Sequence, residues 1–214
     1  MRSESKAGRR ILVATRSAGK MRELRALFVA AGLDAVSLDD ARIPQVPAED
    51  SLETAPTFEE NALAKARHFH EVSGLPAVAD DSGLQVSALG GAPGVYSKRW
   101  SARGDLSGQA LDDANNALLL SRLEHSEDRR ARYVCAAAYC DDGMEFVERG
   151  EVGGVITPSP RGSGGFGYDP FFESDELGRT FAEVSMEEKA RVSHRARAFA
   201  KLLQRMQKNA VSRG

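Results

Sequence analysis

Apolar positions recur along this chain with two spacings, and the alternation between them predicts its elements. RILVAT at 10–15 is almost uninterrupted, as a buried strand would be, and Met21, Leu24, Leu27, Phe28 and Ala31 then repeat at helical spacing. DAVSL at 34–38 predicts a second strand, and residues 43–56, with three prolines and several acids, predict a loop. Thr57 and Glu60 form a Thr-x-x-Glu capping box ahead of a helix whose apolar face runs through Phe58, Ala62, Ala66 and Phe69 to a stop at Gly74. Ala77, Val78 and Ala79 predict a short buried strand that ends in Asp80 and Asp81, with Ser82 and Gly83 as turn signals. A strand fragment and a glycine-proline loop follow, then an amphipathic helix at 110–123. RRARYVCAAAYC and MEFVERGEVGGVI read as two strands of a hairpin that turns at Asp141, Asp142 and Gly143. The chain closes on helical sequence, with a second capping box at Ser185 and Glu188 and a restart at Ser193. Strands alternating with helices predict an α/β fold class. The expected domain is 10–207, between flexible tails at 1–9 and 208–214.

Composition narrows the class of partner. With 42% hydrophobic and 28% charged residues, the chain of 214 residues is that of an ordinary globule with a sizeable core. A net charge of −2 predicts no nucleic-acid partner, and the lack of a long apolar run predicts no membrane span. The charged opening MRSESKAGRR has no apolar core behind it, so no secretory signal is expected. Cys135 and Cys140 are the two cysteines, and their odd spacing predicts opposite faces of one strand: two buried thiols in a reducing cytoplasm.

Four stretches carry candidate chemistry. The TRSAGK loop, Thr15 to Lys20, joins a strand to a helix start, where backbone N–H groups, two hydroxyls and Lys20 suit a phosphate; a plain polar connection with a helix cap suits the same residues. Asp80 and Asp81 are either turn residues or two carboxylates whose repulsion a divalent cation relieves, and Glu53, in a loop without a capping role, is the candidate second metal ligand. GSGGFGYDP is dense enough in glycine to let the backbone approach a ligand, and Phe166 and Tyr168 could stack on a flat base or fill a core. Lys189, His194 and Arg195 lie near one helix break. Asp112-Asp113, within a helix, and Asp141-Asp142, in a turn, carry no such expectation, and His68, His70 and His125 read as surface residues.

Taken in order, TFEENALAKA, ADDSGL, LGGAPGVYS, GGFGYDP and EEK…SHR resemble the bacterial members of the inosine triphosphate pyrophosphatase family over nearly the whole chain, Ile11 to Leu203. The resemblance implies hydrolysis of non-standard purine nucleoside triphosphates, the inosine and xanthosine forms, to monophosphate and pyrophosphate, with Mg²⁺ as cofactor. It also implies a homodimer and an elongated two-lobed α/β domain, its mixed central sheet flanked by helices and its active site in the cleft. Thr15, Arg16, Ser17, Ala18, Gly19 and Lys20 correspond to the family's triphosphate loop, and Lys65 to a lysine near the phosphates. Asp81 corresponds to the catalytic, magnesium-associated aspartate, Glu53 to the second acidic metal position and Ser82 to a substrate contact. Phe166, Gly167, Tyr168 and Asp169 correspond to a nucleotide-binding segment, as do Lys189, His194 and Arg195. Strand alternation would aim Asp81 at the ion and turn Asp80 away toward backbone donors. Two departures stand out: Ser17 replaces the usual Asn, and ETAPTF replaces the usual Glu-Thr-Gly before Thr-Phe. Two other readings share parts of the pattern. A septum-inhibitor-like nucleotide pyrophosphatase would need a Ser-x-Arg-Arg opening that TRSAGKMREL lacks, and a non-catalytic nucleotide sensor could dispense with Asp81.

Overall fold

Two short parallel pairings and one long antiparallel ribbon make the sheet of this computed structural model, which describes residues 9–213. β1 (Arg10–Val13), β2 (Asp34–Ser37) and β3 (Ala77–Val86) are parallel neighbours in the order β2-β1-β3. The rest of the seven-stranded sheet is antiparallel: β4 (Arg130–Asp141), β5 (Met144–Ile156), β6 (Phe172–Ser174) and β7 (Arg179–Thr180). β4 and β5 close across Asp142 and Gly143, as the hairpin signal predicts. α2 (Phe58–Ser73) covers one face of the sheet, while α1 (Ala18–Ala30) and α5 (His194–Arg213) cover the other. α3 (Gly108–Arg122) packs at the far end of the ribbon, and the short α4 (Met186–Val192) leads into α5.

The core divides in a way that places the site. Val78, Cys135 and Tyr139 join α1 and α5 in one apolar cluster, and Ala77, Ala79, Ala136 and Cys140 join α2 in a second on the opposite face. Leu84, Val86 and Tyr133 join α3, β6 and Phe181, just past β7, in a third. Along β3 the apolar positions stop at Ala79 and resume at Leu84, so the strand crosses from the first two clusters to the third through Asp80, Asp81, Ser82 and Gly83. Cys135 and Cys140 are free, buried and on opposite faces.

Several local expectations need correcting. β3 does not end at the aspartates. It runs unbroken for ten residues because β4 offers a matching ladder from Ala77↔Cys140 to Val86↔Ala131. Gly83 is a packing gap rather than a turn residue, since a Cβ there would collide with Gly94 O and Ser97 Oγ. β3's other edge does lose its partner, because parallel pairing with β1 stops at Val78. Within the segment read as loop, residues Pro47–Glu53 form a 3-10 helix, with Pro47 at its first turn and Glu49 accepting from Val46 N–H at 3.1 Å. The Ser185–Glu188 capping box is complete, but at Thr57 only half forms, because the hydroxyl donates to Glu60 Oε2 at 2.7 Å. α5 continues to Arg213, past the tail expected from 208, and the tail at 1–8 lies outside the described residues.

Candidate active site

Strand alternation sends the two adjacent carboxylates to opposite faces of β3. Asp81 faces α2, where its Oδ2 accepts from Asn61 Nδ2 at 2.9 Å and its Oδ1 from Ser82 N–H at 3.1 Å. Lys65, one turn along α2 from Asn61, brings its Nζ to 3.8 Å from Asp81, 2.6 Å from Glu53 Oε1 and 2.6 Å from Asp80 O. Glu53 stands at the last residue of the 3-10 helix, and Arg99 donates to its carbonyl at 2.7 Å. Burial pushes the Asp81 carboxyl above its usual range; Lys65 and Lys20 oppose the rise and Glu53 adds to it. Glu53 itself is held below its usual range: burial pushes it up most, but Lys65, with Lys20 and Lys98, together outweigh that.

Asp80 faces α1 and α5. It is turned away from Asp81 as expected, but toward side-chain cations rather than backbone donors: Lys20 Nζ at 3.0 Å and Arg195 Nε at 3.2 Å. Full burial would raise this carboxyl, yet Lys20, Arg195 and Lys65 together hold it far below the usual carboxylate range. Arg195, 2% exposed, also ion-pairs with Glu23 and donates to Ser82 Oγ at 2.8 Å. Glu23 reaches Lys189 as well, at 2.8 Å, and Asp169 completes that lysine's shell at 2.7 Å. Lysines and arginine alternate here with carboxylates, which is how a group of buried charges stays tolerable. His194 stacks on Tyr133 with ring centroids 4.6 Å apart, and burial drives its imidazole well below the usual value, so it is neutral. Among the described residues nothing hydrogen-bonds its Nδ1.

The 15–20 loop lies over the open edge of β3. Ala14 N–H donates to Val78 O at 2.7 Å, Ser17 caps α1 by accepting from Lys20 N–H at 3.3 Å, and Thr15 Oγ1 accepts from Ser17 N–H at 3.2 Å. Ala18 and Gly19 form the first turn of α1. Phe166 covers Gly19 so closely that a Cβ there would stand 2.8 Å from the ring. The same ring has Lys189 Nζ at 5.1 Å and Arg195 Cζ at 5.9 Å from its centroid.

The structure thus brings together Lys20, Lys65, Asp81, Glu53, Ser82, Phe166, Lys189, His194 and Arg195. Three expected site side chains point elsewhere. Arg16 turns out to Glu49, Ile43 O and Pro44 O. Tyr168 is buried, its hydroxyl donating to Ser97 O at 2.8 Å, so of the two rings expected to stack on a base only Phe166 is partly exposed. Asp169 is turned inward, accepting from Phe166 N–H at 2.9 Å beside Lys189. Glu23 was missed, although it lies three residues beyond Lys20 and helical spacing puts the two on one face. Nothing local in the sequence announces the cationic partners of Asp80.

Fold and site define an open mixed-sheet α/β protein with a charged junction between its cores. The chain belongs to the Ham1 family, whose profile matches residues 11–205. A dITP/XTP pyrophosphatase of Geobacter sulfurreducens is 49% identical over 196 residues, 90% of this chain and 94% of its own. One from Ralstonia nicotianae is 46% identical over 201 residues, 92% of this chain and 96% of its own. A HAM1 protein from Coxiella burnetii superposes with a TM-score of 0.79 at 34% identity, covering 93% of this chain and 98% of that one.

Proposed function

We propose that this protein hydrolyses non-canonical purine nucleoside triphosphates, those of inosine and xanthosine in ribo and deoxy forms, to the monophosphate and pyrophosphate. The observation that carries the reading is the junction itself. Lys20, Lys65 and Lys189 converge on it with Asp81 and Glu53, in a chain of the Ham1 family whose relatives bear the name dITP/XTP pyrophosphatase.

Among the described residues no group of three His, Cys, Asp or Glu side chains gathers as a closed metal site. Two carboxylates sharing one lysine are nevertheless the donor set that Mg²⁺ favours, since it keeps several waters and takes its remaining ligands from substrate phosphates. Asp81 and Glu53 would hold the ion, and its chemistry there is to neutralise charge on the triphosphate and on the departing pyrophosphate. The chain's own residues do the rest. Lys20 and Lys189 leave Asp80 and Glu23 in part to bind phosphate oxygens, and Lys65 keeps Asp81 and Glu53 oriented. Asp81 takes a proton from the water whose oxygen bonds to the α-phosphorus as the bond to pyrophosphate breaks. Phe166 stacks on the base. A donor from Arg195, His194 or the adjacent backbone accepts only a 6-oxo purine, because the 6-amino group of adenine would leave two donors facing each other.

The reading includes a homodimer in the cytoplasm. Two free, buried thiols support a reducing compartment, and no helix among the described residues is long and apolar enough to cross a membrane. The test is a nucleotide panel scored for pyrophosphate, with and without Mg²⁺, alongside light scattering for the dimer. ITP and XTP should be cleaved well, GTP poorly and ATP hardly at all. Equal turnover of ATP, or full turnover in chelator, would overturn the assignment.

A further inference from the structure

Helix α3 takes no part in the charged junction, yet it grips the glycine-rich loop at one residue. Asp112 Oδ2 accepts from Gly167 N–H at 2.8 Å, and Asn116 Nδ2 donates to Gly167 O at 3.0 Å. The two side chains are four apart on one helix face, so both backbone polar atoms of Gly167 are claimed from the same side. The grip falls where the backbone is least determined by its own sterics, because Gly165 and Gly167 both have positive φ, +73° and +62°, with Phe166 between them. Phe166 is anchored on its other side by Asp169, through its own N–H. Asn116 is 6% exposed, and neither it nor Asp112 touches Lys20, Lys65, Lys189 or Asp81 in any hydrogen bond or ion pair of the described residues.

We propose that Asp112 and Asn116 are positioning residues for base recognition: they fix the Gly167 peptide, and so the stance of the Phe166 ring, without touching the nucleotide. The inference rests on the nucleotide reading above. It divides the site, since the base should depend on α3 while the phosphates should not.

The test is kinetic. Asp112→Ala and Asn116→Ala should each raise KM for ITP ~10-fold, the scale of one lost buried hydrogen bond to a charged or amide partner, with kcat within ~3-fold. Inhibition by pyrophosphate, which contacts only the phosphate side, should stay within ~2-fold of wild type. Asp112→Asn keeps an acceptor at the same reach and should restore most of the affinity. The double variant should fall well short of the product of the single effects, because both groups hold one residue. If the alanine variants do not fold, Asn116→Ser, which keeps a polar group but stops short of Gly167, replaces them. Unchanged ITP kinetics in a folded variant, or pyrophosphate inhibition weakened as much as ITP binding, would overturn the role. Wild type run alongside separates the two claims. A wild type that releases no pyrophosphate from ITP defeats the nucleotide reading, whereas an active wild type with indifferent variants defeats only this inference.

Discussion

Asp80 and Asp81 are chemically identical neighbours, and the sheet gives them opposite tasks. Asp80 is held far below 3.8 by Lys20 and Arg195, so its ionised form stabilises the fold. That contribution is fully present above the unfolded value near 3.8 and disappears as pH falls through the folded one. Asp81 is raised, so its ionised form costs the fold stability, and the proposed mechanism gives that form the chemistry. Asp80→Asn should therefore lower stability by about 3 kcal/mol at neutral pH, having left two buried cations without their carboxylate, and should flatten the acid limb of the melting profile. Asp81→Asn should melt at or slightly above the wild-type temperature and lose at least ~10²-fold in turnover. Thermal melts across pH, paired with pyrophosphate release, separate the two residues; a stable Asp80→Asn protein would show the cation cluster to be self-sufficient.

At the scale of elements, what was legible was whatever local spacing encodes. The helices, both N-caps, the Gly74 stop and the β4–β5 hairpin follow from periods and turn chemistry within a few residues. What escaped depends on distant partners. Arg16 is claimed by Glu49, 33 positions on, and Tyr168 by the carbonyl of Ser97, 71 positions back. Asp-Ser-Gly is a turn in isolation and becomes strand only because β4 is there to pair with it. The first turn of α1 shows how one element can serve two masters. Gly19 is a weak helix former, retained where Phe166 must come close. Gly19→Ala should leave the melting temperature unchanged or raise it by up to the equivalent of ~1 kcal/mol, while displacing the ring and raising KM for ITP several-fold. A variant both more stable and fully active would mean that the ring position is immaterial.

The whole molecule is divided into three apolar clusters in its core but is undivided in its backbone. β3 and β4 each place side chains in all three apolar clusters, so no cut through the polar junction avoids severing two ladders at once. The regions around these clusters accordingly cannot behave as independent cooperative units, as they would if a linker joined them. Scanning calorimetry should show one heat-absorption peak whose van't Hoff and calorimetric enthalpies agree. Two resolved peaks would mean that the ribbon frays at the aspartates. If one peak is seen, any narrowing of the junction around a ligand must come from coiling of a continuous ribbon, a stiff and distributed deformation, and Asp80 and Asp81 ride at the middle of that spring.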